Sequence, residues 1–97
     1  MDLSKYKGRV IGGHKIIVIE FVFSTLIISF NEVYDKDGSS MLVAERWLDD
    51  IPCPSDHFTI NYYDDEGDFT GYETAELDDS VISEIKAIFD EIGVNNI

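Results

Sequence analysis

The chain is 97 residues long and sets twenty acidic side chains against seven basic ones, a formal net charge of −13 at pH 7. That is one domain's worth of chain, and with 44% hydrophobic residues, six Phe, five Tyr and one Trp it is too apolar for a disordered acidic tail. Nucleic acids are bound through Lys and Arg, so this charge argues against direct nucleic-acid binding, and a lone cysteine, Cys53, excludes an intramolecular disulfide and suits a reducing cytoplasm.

The charge is uneven. Residues 1–31 carry Lys5, Lys7, Arg9 and Lys15 against Asp2 and Glu20, a net +2. From Glu32 onward eighteen acids face Lys36, Arg46 and Lys86, a net −15. Such self-repulsion opposes folding, which points to a use for it.

In chain order, Tyr6–Ile11 predicts a short strand, turned by Gly12-Gly13 into a second. Ile16–Phe23 is β-branched and aromatic on both faces, the pattern of a central, doubly covered strand. The basic residues ahead of this run raise a signal peptide. The apolar stretch Ile16–Phe30 is too short to span a bilayer, contains Glu20 and precedes no small-x-small site. A cytoplasmic protein without membrane association is therefore expected.

Leu26–Tyr34 predicts the next strand, after a weak turn at Ser24-Thr25 that a bulge within one long strand could replace. Asp35-Lys36-Asp37-Gly38-Ser39 is the strongest turn. Met41–Leu48 returns with Leu42, Ala44 and Leu48 on one face beside Arg46, and Met41, Val43 and Trp47 on the other beside Glu45. Pro52 and Pro54 make 49–56 a loop. His57–Tyr63 and Phe69–Leu77 flank the acidic turn Asp64–Asp68.

Val81, Ile82, Ile85, Ile88, Phe89 and Ile92 fall on one helical stripe, with Asp79 or Ser80 as N-cap and Gly93 just past the end. The expected fold is α+β: an antiparallel meander of five or six strands with one C-terminal helix on one face, in two layers and a single domain over 1–97.

No catalytic pattern stands out. From Asp35, an EF-hand would need Gly and Glu where Ser40 and Arg46 stand. Cys53, His14 and His57 are too few for a zinc site, and Cys53 with Asp56 and His57 lacks an oxyanion hole. A divalent ion on the 64–68 loop is one alternative. The expectation is a non-enzymatic domain with no cofactor and no metal.

The acids group locally as Asp49-Asp50, Asp64-Asp65-Glu66 with Asp68, and Asp78-Asp79, beside aromatics of the kind that anchor interfaces. The candidate partner-binding residues are Trp47, Asp49, Asp50, Tyr63, Asp64, Asp65, Glu66, Asp68 and Tyr72. The expected partner is a basic protein, a cognate toxin nuclease, which makes the chain a small acidic inhibitor of the immunity-protein or antitoxin kind. The alternative within binding proteins is a phage-type nucleic-acid mimic. The free chain is expected to be a monomer or a weak dimer.

Overall fold

Apolar residues at every second position build a sheet here, and one stripe at helical spacing covers it. The computed structural model describes residues 3–50 and 52–96. A 3-10 turn at Leu3–Tyr6 leads into strands β1 (Val10–Ile11), β2 (His14–Val22), β3 (Thr25–Phe30), β4 (Val33–Asp35), β5 (Gly38–Trp47), β6 (Ser55–Asp64) and β7 (Phe69–Thr74), then helix α1 (Asp79–Asn96). All neighbours are antiparallel, in the order β1-β2-β3-β5-β6-β7, with β4 also paired to β5. This is the expected meander with a C-terminal helix. The seventh strand arises because Asn31-Glu32 interrupts the predicted strand Leu26–Tyr34, leaving β3 and β4 as two pieces against one partner.

Alternation puts Leu26, Ile28 and Phe30 of β3 and Leu42 and Ala44 of β5 on the helix side, where they are buried. Ile85, Ile88, Phe89 and Ile92 of α1 pack onto them, with Phe58 and Ile60 of β6 at the margin. Burying each such side chain is worth about 1.5–3 kcal/mol. That outweighs the poor helix propensity of so many β-branched residues, so packing holds α1 in place. Arg46 locks the layers together. It ion-pairs with Asp56 of the neighbouring strand and Asp90 of the helix, and its guanidinium lies 5.2 Å from the centre of the Phe89 ring.

Three expectations need correction. Ile16–Phe23 is not a central strand: β2 lies at the sheet margin, and Ile17, Val18, Phe21 and Val22 are exposed. The cause is the preceding segment, which begins in the 3-10 turn and offers β2 only the two-residue strand Val10–Ile11 and the backbone of Gly8 and Arg9 at Ile16. The helix does not stop at Gly93 but runs to Asn96. The N–H groups of Val81 and Ile82 both donate to Asp78 C=O, which makes Asp78 the capping position rather than Asp79 or Ser80. The basic N-terminal stretch serves partly as a clamp on the acidic helix: Lys5 pairs with Glu91 at 2.9 Å and Arg9 with Glu84 at 3.6 Å.

The predicted turns at 12–13, 35–38 and 64–68 form, while the one expected at Ser24-Thr25 falls one residue earlier, since Thr25 already pairs with Val22. At the 35–38 turn, Asp37 N–H donates to the Asp35 carboxylate at 2.8 Å, and Gly38, at φ 149°, lies against β6. A two-residue turn at Phe23-Ser24 joins β2 to β3, with Phe23 in the left-handed region at φ 54°. Of the predicted 49–56 loop, Ile51 lies outside the described residues.

Candidate functional site

One face of the sheet is covered by α1, and the opposite face carries the side chains of interest. Register sets which of them meet. Trp47 pairs with Ser55 and Glu45 with His57 across β5 and β6. Asn61 pairs with Tyr72, Thr59 with Thr74, and Tyr63 with Phe69 across β6 and β7. Strand alternation brings these onto one surface, around a hollow of about 610 Å³ whose lining includes Glu45, Trp47, His57, Asn61, Phe69 and Tyr72.

Trp47 stacks on His57 with ring centres 3.9 Å apart and planes tilted by 32°. Its Nε1–H donates to Glu45 Oε1 at 3.2 Å. The indole is 42% exposed, so it belongs to the surface and not to the core. Tyr63 and Phe69 meet edge to face at 5.9 Å, and Tyr72 is 70% exposed. Among the described residues no Lys or Arg lines the hollow, and its carboxylates are Glu45 and Asp56, the latter held by Arg46.

Asp50, Ser55 and His57 form a chain of hydrogen bonds. Ser55 Oγ–H donates to Asp50, so the 3.0 Å contact with His57 runs from imidazole Nε2–H to Ser55 Oγ. The set orders the start of β6. Of the grouping Cys53, Asp56 and His57, Asp56 is bound to Arg46, His57 contacts Ser55 and Cys53 is exposed.

The nine candidate residues fall into two groups with a bridge. Trp47, Asp49 and Asp50 sit at one end of the β5–β6 hairpin. Asp64, Asp65, Glu66 and Asp68 sit at the other end, beside Tyr63, and Tyr72 lies between. Ten-residue strands at a rise of about 3.3 Å per residue set the ends about 30 Å apart. Asp64 differs from its neighbours, because one of its oxygens accepts the amides of Glu66 and Asp68, both at 2.9 Å. It organises the loop and presents little to a partner.

Register also recruits acids that sequence grouping missed. Gly38 pairs with Asp64, which brings the 35–38 turn alongside the 64–68 loop. Glu32, Asp35, Asp64, Asp65 and Glu66 then line one shallow hollow. Next to it, hydrogen bonding to Glu32 pushes the Tyr34 phenol above its usual pKa. His57, Glu45 and Phe69 are the other additions on the open face, and their signal was the Trp47 and Tyr63 alternation, read with the right register. Among the described residues no three His, Cys, Asp or Glu side chains are placed to hold a metal ion, and no helix is long and apolar enough to cross a membrane.

No protein-family model, no curated protein and no solved structure matches this chain.

Proposed function

We propose that the chain is a small acidic inhibitor of the immunity-protein or antitoxin kind, which binds a basic, nuclease-type toxin over its active-site cleft. The observation that carries the reading is the open sheet face. Among the described residues its aromatic hollow has no Lys or Arg in its lining, and it lies between two acidic ends. Nuclease clefts are lined with Lys and Arg. Carboxylates would stand where phosphates bind, Trp47 and Tyr72 would stack where bases do, and complementary charge would speed encounter.

A nucleic-acid mimic needs a regular row of ionised carboxylates. Here they gather at the ends of the sheet, and on the helix Glu84, Asp90 and Glu91 are each tied to a cation. The compact aromatic face favours the inhibitor. A metal site on the 64–68 loop is disfavoured because Asp64 is turned onto its own amides.

The test is capture from the native host at low salt with elution at high salt, followed by a nuclease assay of the eluted protein with and without the chain. Stoichiometric loss of cleavage supports the reading. Capture of no cationic protein, or cleavage undiminished in the complex, defeats it.

A further inference from the structure

Among the described residues, the acids that the fold takes partly out of water are Glu45, Asp56 and Asp64. Two of them are met from within the chain. Asp56 has the Arg46 guanidinium, and Asp64 has the amides of Glu66 and Asp68. Glu45 has only the Trp47 indole N–H, on Oε1, and its Oε2 meets no donor among the described residues. A half-buried carboxylate left without a cation is costly.

The surrounding face does not relieve it. Glu20, Ile27, Glu45 and His57 stand in one cross-strand row, through the pairings Glu20–Ile27, Ile27–Glu45 and Glu45–His57. Directly paired residues share a face, so Glu20 joins Glu45 on the open side, about 10 Å away at two strand spacings. From Val18 to Thr74 the strands hold one basic residue, Arg46, and it lies on the helix side. The walls beside Glu45 are aromatic, with Trp47, Phe69 and Tyr72 all exposed in the lining.

Building on the inhibitor reading, we propose that this hollow receives an arginine side chain of the basic partner, its guanidinium paired with Glu45 and laid against the Trp47 ring. The helix side holds the same chemistry already satisfied, since Arg46 there pairs with Asp56 and lies over the Phe89 ring. Arginine suits the place better than lysine. A guanidinium is planar and weakly hydrated and can stack on a ring while donating in its own plane, whereas an ammonium holds its water more tightly. A hollow of about 610 Å³ is of the size that takes a small ligand, so the arginine arrives on a protruding loop whose neighbouring residues fill the rest. Tryptophan and arginine are also the residues that carry most energy where two proteins meet.

The test titrates the whole chain with acetyl-Gly-Arg-Gly-amide at constant ionic strength, followed by NMR. The expected result is a saturable shift of the Trp47 indole N–H and of the Glu45, Asn61 and Tyr72 amides, half-complete on the order of millimolar. The lysine counterpart, acetyl-Gly-Lys-Gly-amide, should bind roughly threefold more weakly or worse. Glu45→Gln keeps an oxygen for the indole N–H and removes the charge, and should weaken the arginine probe about tenfold or more. Asp65→Asn combined with Asp68→Asn, at the far acidic end, should change its affinity by less than about twofold.

Equal affinity for the two probes, shifts spread over the acidic turns, or binding undiminished in Glu45→Gln overturns the proposal. If Glu45→Gln does not fold by circular dichroism, the probe comparison and the position of the shifts decide. The absence of any saturable shift overturns it too and leaves the inhibitor reading intact, because capture and loss of cleavage are read on the partner. Failed capture with the arginine probe still seated at Glu45 defeats the inhibitor reading and keeps the hollow as an arginine site.

Discussion

Arg46 holds Asp56 in a two-pronged ion pair, Nε to Oδ1 at 2.7 Å and Nη2 to Oδ2 at 2.9 Å, while its remaining nitrogen reaches Asp90 of the helix at 2.5 Å. The hydrogen bond to Asp56 raises the guanidinium pKa above its ordinary value. Arg46→Met strands the Asp56 carboxylate, whose side chain is 8% exposed, and should cost about 3 kcal/mol in urea unfolding. Adding Asp56→Leu should recover much of that loss. A single variant that unfolds at the wild-type midpoint would mean that packing alone joins sheet and helix.

Gly38 and Gly67 both have positive φ, but only one of them is crowded. A Cβ on Gly38 would sit 2.0 Å from the Tyr63 carbonyl oxygen, whereas one on Gly67 meets nothing within 4 Å. Gly38→Ala should cost ~3 kcal/mol through clash and strain. Gly67→Ala should cost only about 1–2 kcal/mol. Equal thermal shifts for the two would contradict the close approach of β5 to β6.

The two acidic ends should differ in their effect on a basic partner. Lysine at Asp65, Glu66 and Asp68, with Asp64 left in place to hold the loop, should slow association by about tenfold or more at low salt. Lysine at Asp49 and Asp50 should do less, because Glu32 and Asp35 reinforce only the first end. Surface plasmon resonance at two ionic strengths reads both effects, and the reverse ranking would relocate the partner.

Trp47→Ala should separate binding from folding. The indole stands on the open face, outside the core cluster. Its loss should cost about 1 kcal/mol of stability but 2 kcal/mol or more of affinity, expressed in the off-rate. Unchanged dissociation would remove it from the contact.

Lys5 and Glu91 shift in opposite directions because of their shared hydrogen bond. Glu91 falls below its usual 4.5 and Lys5 rises above 10.5. Their stabilisation is full between those values. It is lost as acid protonates Glu91 below 4.5 and as alkali deprotonates Lys5 above 10.5. The melting-temperature gap between wild type and Glu91→Gln should therefore be flat near neutrality and close on acidification. A gap that persists in strong acid would mean the glutamine disturbs something other than the ion pair.

Local pattern made much of this fold legible. The α1 stripe, the alternation of β5 and the turns at 35–38 and 64–68 all appear where spacing and turn chemistry put them. What sequence could not supply was position across the sheet. β2 reads as central because both its faces are apolar, yet the segment before it is too short and basic to cover it. The candidate site shows the same divide. Trp47, Tyr63, Phe69 and Tyr72 share the open face through alternation and the register shift at Tyr62/Tyr63, whereas Phe58 lies on the helix side. The nine chosen residues split between two ends, because adjacency along a chain says nothing about which end of a hairpin a cluster occupies. Only the pairing of Gly38 with Asp64 reveals that the 35–38 turn joins the acidic loop.

The stacking of Trp47 on His57 has a practical consequence, since this is the only tryptophan in the chain. Near-ultraviolet emission excited at the indole therefore comes from one address, on the surface where the hollow opens. Anything that settles over that surface would change the colour or brightness of the signal without a dye or a tag, so the protein reports its own occupancy.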